Sequence, residues 1–83
     1  MTDRTDQLEN EVITFVRNEF EATGEIERNT QLIADGIVDS IGVLRLVRFL
    51  EDRFGVQIDP QDLVLENFAS VKAIVNLLRK RMN

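Results

Sequence analysis

Three stretches of the chain repeat apolar positions at three- and four-residue intervals. In the first, Leu8, Val12, Phe15, Val16 and Phe20 share one helical face, while Glu9, Glu11, Arg17, Glu19 and Glu21 fall mostly opposite. This spacing predicts a helix over 6–22, started by Thr5 or Asp6 as cap and ended by Gly24 in a left-handed conformation. The second stretch, 40–54, holds Ile41, Val43, Leu44, Leu46, Val47, Phe49, Leu50 and Phe54. Apolar residues cover most of its circumference, which predicts the central helix of a small bundle. Its polar residues Arg45, Arg48 and Asp52 lie three and four apart, so they share one face, and Ile41 lies on that face one turn above Arg45. In the third, Val71, Ile74, Val75 and Leu78 form a stripe behind Ser70, a cap residue, with Arg79, Lys80 and Arg81 at the end where the helix dipole favours positive charge.

The stretches between are of two kinds. Residues 25–38 show no helical period and make a long connection, in which Leu32, Ile33, Ile37 and Val38 are apolar enough to pin it to a core. After Gly55, residues 56–58 read as an extended link. Asp59 and Pro60 then give a helix-start signal, because the N–H that proline lacks is one a first helical turn leaves unpaired anyway. The element they start, 60–66, is short and is broken by Asn67, Phe68 and Ala69. Residues 1–5 read as a frayed end. With no repeat or linker, the expectation is a single domain over 1–83. Its fold class is all-α, a small four-helix bundle of three main helices, one short helix and a long first loop, filled by Phe15, Phe20, Phe49, Phe54 and Phe68.

Composition narrows the chemistry. The 83 residues include no cysteine and no histidine, which removes disulfides, thiolate sites and the usual general base and metal ligand at neutral pH. The net charge of −5 argues against nucleic acid as a partner. No apolar run is long enough for a membrane span and no secretory signal opens the chain, so a cytoplasmic, monomeric protein is expected. The charge is uneven: ten acids and three bases give −7 over 1–39, and five acids and seven bases give +2 over 40–83. Basic residues therefore gather from Ser40 onward.

Ser40 opens the central helix, where unpaired N–H groups and the positive end of the helix dipole suit a phosphate. Either Ser40 or Asp39 can be the cap. Without histidine the serine has no base to activate it, and Val38 stands where a nucleophile elbow needs glycine, so serine protease or esterase chemistry is excluded. Ile37 and Val38 interrupt the oxygen ligands that a calcium loop would draw from Asp35 and Asp39. The pairs Glu25 with Glu27 and Asp59 with Asp62 read as solvated charges and caps. No metal site and no catalytic role of the chain's own are expected.

Asp35-Gly36-Ile37-Val38-Asp39-Ser40-Ile41, with Leu32 before it and 44–54 after it, resembles the phosphopantetheine attachment region of acyl carrier and peptidyl carrier proteins. Leu32, Asp35, Gly36, Asp39 and Ser40 match that family's pattern, with Ile41 in its usual leucine position. Residues 56–60 and 68–71 resemble its later landmarks. The resemblance implies a discrete acyl or aminoacyl carrier, with 4'-phosphopantetheine from coenzyme A attached covalently at Ser40 and cargo held as a thioester on its thiol. It also implies Asp39 and Ile41 as recognition residues, with a phosphopantetheinyl transferase, a loading ligase and downstream biosynthetic enzymes as partners. Carriers of fatty-acid synthesis usually have an acidic second helix, whereas Arg45, Arg48 and Arg53 stand here beside Glu51 and Asp52. Modules of peptide synthetases usually show paired glycines before the serine, where Ile37 and Val38 stand here. The chain is more similar to stand-alone carriers of specialised pathways, and Arg45 and Arg48 are expected to meet acidic or apolar partner surfaces. The alternatives are an unmodified helical adaptor with the same fold and a fatty-acid carrier.

Overall fold

The structure is a computed structural model that describes residues 4–20 and 24–82. Its elements are α1 (Arg4–Glu19), α2 (Ser40–Phe54), two short 3-10 turns (Pro60–Asp62 and Leu65–Phe68) and α3 (Val71–Met82), with no strand among the described residues. The all-helical fold agrees with expectation. The single short helix foreseen over 60–66 is instead two 3-10 turns, the second of which contains Asn67 and Phe68.

Helix α3 packs against α1 and the second 3-10 turn. Their shared core contains Leu8, Val12, Val16, Leu46, Leu50, Phe68, Val71, Ile74, Val75 and Leu78, each at most 5% exposed. The long first loop closes over one end of this core, with Ile26, Leu32 and Val38 buried and Ile33 and Ile37 half-buried. Backbone hydrogen bonds tie it to the start of α3: the Leu32 N–H donates to the Ala69 carbonyl (2.8 Å) and the Lys72 N–H to the Arg28 carbonyl (2.9 Å).

Several elements depart from the periodic reading. Helix α1 begins at Arg4, so Thr5 and Asp6 lie in its first turn and are not its cap, and of the end read as frayed, Arg4 and Thr5 are helical while residues 1–3 lie outside the described residues. It ends at Glu19, too early for Gly24 to cap it, and the rest of the expected span, 21–22, lies outside the described residues. Of the five phenylalanines only Phe68 is fully buried. The other four are half-buried in a row along α1 and α2, in which Phe15 stacks on Phe49 (ring centroids 4.0 Å apart) while Phe20 and Phe54 meet them edge-on. Helix α2 is not covered all round, since Ile41 and Leu44 are 65% and 59% exposed.

Two carboxylates expected on the surface are buried. Glu9 lies beside Leu8 within the α1 face that packs inward, 3.2 Å from the Arg28 guanidinium. Asp62 accepts a hydrogen bond from Arg81 Nη2 at 2.7 Å and also receives the Asp59 N–H, while Arg81 Nη1 reaches Asp59. The Arg81 hydrogen bond holds the Asp62 carboxyl below the usual carboxylate range, against the opposing effect of burial. This contact staples the first 3-10 turn to the end of α3.

Candidate functional site

The site is built on the turn into α2. Gly36 takes a left-handed conformation (φ 77°), which reverses the chain after Asp35. The Val38 N–H returns to the Leu32 carbonyl at 2.9 Å, and the Val38 side chain is buried beneath the turn. Asp39 follows in an extended conformation, and its Oδ1 accepts the Gly42 N–H at 2.7 Å, so Asp39 is the cap of α2. Sequence alone left that role open between Asp39 and Ser40.

With the cap supplied by its neighbour, Ser40 occupies the first helical position and is exposed. A phosphate ester on its hydroxyl would meet the positive end of a 15-residue helix. Gly42, one turn into α2, is buried because a side chain has no room there: a Cβ would stand 2.7 Å from Phe20 Cε1 and 3.0 Å from Val38 Cγ1. The absence of that side chain lets the Phe20 ring, just past the end of α1, pack against the first turn of α2.

Ile41, Arg45 and Arg48 all lie on the exposed side of α2 next to Ser40, together with Leu44, which the expected stripe omitted. The arginines have partners within the chain. Arg45 Nη1 lies 3.4 Å from Glu19 Oε2 and Arg48 Nε lies 3.7 Å from Asp52 Oδ2, while Arg53 pairs with Glu11. All three pairs are solvent-exposed on the arginine side, where such contacts contribute little stability. They remain available to exchange partners. Leu63 and Val64, between the two 3-10 turns, and Leu65, which opens the second, are exposed and form a second apolar patch that the periodicity of the helices gave no means of finding.

Against protein families, residues 10–78 match the phosphopantetheine attachment site family. The chain therefore belongs to that family: it is a carrier domain whose cofactor is 4'-phosphopantetheine, held covalently. An exposed serine at a helix start, relieved of capping by Asp39, is chemically suited to carry this group. Domains of the family are generally non-catalytic and work with phosphopantetheinyl transferases and biosynthetic enzymes. Among solved structures, a chain from a crystal structure described as that of an FAD-dependent dehydrogenase superimposes with a TM-score of 0.74 at 27% identity, over 82% of this chain and 99% of that one. No curated protein matches the chain. No helix among the described residues is long and apolar enough to cross a membrane.

Proposed function

We propose that this chain is a cytoplasmic carrier of a small acyl or aminoacyl group, modified at Ser40 and without catalytic activity of its own. The observation that carries this reading is the division of labour at the start of α2, where Asp39 caps the helix and Ser40 stays exposed. In the attachment step a bond forms between Ser40 Oγ and the phosphorus nearest the pantetheine of coenzyme A. The phosphoanhydride bond breaks, adenosine 3',5'-bisphosphate leaves, and the serine proton passes to a base on the transferase. The attached thiol supplies the thioester chemistry that a chain without cysteine lacks. Tethering raises the concentration of the cargo at each successive enzyme.

Asp39 and Ile41 flank the serine for recognition, and Arg45 and Arg48 extend that surface toward a loading ligase. An FAD-dependent dehydrogenase is a fitting downstream partner. Support comes from the similar chain in the dehydrogenase structure, which is matched over 99% of its length and so is about as small as this one. Such an enzyme would move two hydrogens from the tethered group to its flavin.

The test is intact mass after incubation with coenzyme A and a broad-specificity phosphopantetheinyl transferase. The expected result is a gain of one phosphopantetheine, while an unchanged mass would leave an unmodified helical adaptor as the better reading. Reversing Arg45 and Arg48 to glutamate should then lower kcat/KM for loading by the native ligase roughly tenfold, as expected when rim charges guide association. Unchanged kinetics would remove the arginines from the docking surface.

A further inference from the structure

Helices α1 and α2 meet at three levels, and the pairings run in opposite directions along the two helices. Glu11 pairs with Arg53 at the first level, Phe15 stacks on Phe49 at the second with ring centroids 4.0 Å apart, and Glu19 lies 3.4 Å from Arg45 at the third. Each level is four residues from the next on both helices, so the contributing residues of each helix share one face, spaced ~6 Å apart along its axis. Both rings are half-buried, and two open hollows lie against them. One, of about 500 Å³, is lined also by Asn10, Thr14 and Asn18 of α1, and the other, of about 600 Å³, also by Arg45, Arg48 and Asp52 of α2.

We propose that this α1–α2 face binds a second copy of the same chain, in a weak and reversible dimer. The order of charges selects the occupant. At both outer levels the α1 side is acidic and the α2 side basic, with the aromatic pair between them. A two-fold axis parallel to the helices sets the α1 side of one copy opposite the α2 side of the other at the same level. Glu11 and Glu19 then face Arg53 and Arg45 of the second copy, and Phe15 faces its Phe49, so the face complements itself at every level. A partner carrying one sign of charge would meet its like on one of the two sides. Both ion pairs are exposed on the arginine side, so exchanging them between copies costs little, while the rings leave water. Aromatic and arginine side chains are also the ones enriched where protein surfaces meet.

The size of the face sets the strength. Helices of 16 and 15 residues are roughly 24 and 22 Å long, and two side by side are about 20 Å across, which gives ~450 Å² per copy. The total of ~900 Å² lies below the ~1,200 Å² at which stable complexes begin. The monomer expected from the sequence is then the dilute form. Ser40 lines neither hollow and lies about half a turn round α2 from Phe49, so it stays outside the contact, and dimerisation does not depend on its modification. Arg45 belongs both to this face and to the stripe proposed for the ligase, so the two partners compete for it.

The test is analytical ultracentrifugation of the full, unmodified chain between roughly 10 μM and 1 mM, the range in which a small interface associates. The average mass should rise from that of one chain toward that of two. Over the same range NMR should show the amides of Thr14, Phe15, Asn18 and Phe49 shifting several-fold more than those of Val64 and Leu65. Thr14 is exposed, and its hydroxyl bonds only to the Asn10 carbonyl of its own helix. Thr14→Arg should therefore keep the helical circular dichroism of the wild type, fill the smaller hollow and hold the mass at one chain up to 1 mM. Two double variants then test the order of charges: Glu11→Arg with Glu19→Arg makes both sides basic, and Arg45→Glu with Arg53→Glu makes both acidic. Each alone should remain a single chain, and an equimolar mixture should form a dimer. A mass of one chain throughout for the wild type, association that survives Thr14→Arg, or concentration-dependent shifts centred on residues 63–65 would overturn the proposal. If either double variant loses its helical signal, the wild type and Thr14→Arg still decide it; two folded double variants that do not associate when mixed would overturn the charge pairing that selects a second copy.

Discussion

Serine occurs twice in this chain, at Ser40 and Ser70, and each stands at the start of a helix. Ser70 Oγ accepts the Ala73 N–H at 3.1 Å, so it caps α3. Ser40 stands one position further into its helix, because Asp39 accepts the corresponding N–H of Gly42. The surroundings differ in the same sense. Ser70 is half-buried behind the fully buried Phe68 and ahead of the fully buried Val71, whereas Ser40 is exposed beside exposed Ile41 and Leu44. A serine at a helix start is ordinarily occupied with the backbone. At α2 an aspartate one residue earlier releases the hydroxyl for other chemistry.

This contrast can be broken at several points, the first of them the deepest. Phe68→Ala removes the largest fully buried side chain, on which the start of α3 is seated, and should cost about 3–5 kcal/mol in denaturant unfolding. A loss below about 1 kcal/mol would mean that the start of α3 is not anchored there. Asp62→Asn should lower stability at neutral pH by loosening the Arg81 staple. Because the folded Asp62 carboxyl titrates below its unfolded value, its contribution is fully present above the unfolded pKa and is lost as pH falls through the folded one. The stability curves of the two proteins should therefore converge below about pH 4, and a gap that stays constant into acid would contradict the assignment.

The caps come next. Asp39→Ala and Ser70→Ala should each cost about 1 kcal/mol. Ser40→Ala should change stability by less than about 0.5 kcal/mol, the smallest effect of the set, because it touches no cap and no core contact. A Ser40→Ala cost equal to that of Ser70→Ala would show the two serines doing the same structural job.

The parts of this picture that were legible in the sequence are those that depend on near neighbours. The bounds of α2 with Gly55 at its end, the capping of α3 by Ser70 and the exposed stripe of Ile41, Arg45 and Arg48 follow from spacing and local backbone preference. Asp62 and Glu9 were not legible, because the arginine that pairs with each comes from another element, Arg81 on α3 and Arg28 in the long loop. The aromatic row escaped for a related reason. Phe15 and Phe49 fit the apolar faces of their own helices, and only the placement of α1 against α2 leaves their stacked rings half-covered. The contested cap also needed structure, since both Asp39 and Ser40 have the chemistry and only backbone geometry separates them.

The most direct measurement of the central claim is site mapping of the modification in the wild type, Ser40→Ala and Ser70→Ala. Each protein is incubated with coenzyme A and the transferase, and its peptides are then weighed. The prediction is one phosphopantetheine on the peptide containing Ser40 in the wild type and in Ser70→Ala, and none on any peptide of Ser40→Ala. A gain that survives Ser40→Ala, or that maps to the peptide containing Ser70, would contradict the assignment of Ser40 as the residue that Asp39 sets free.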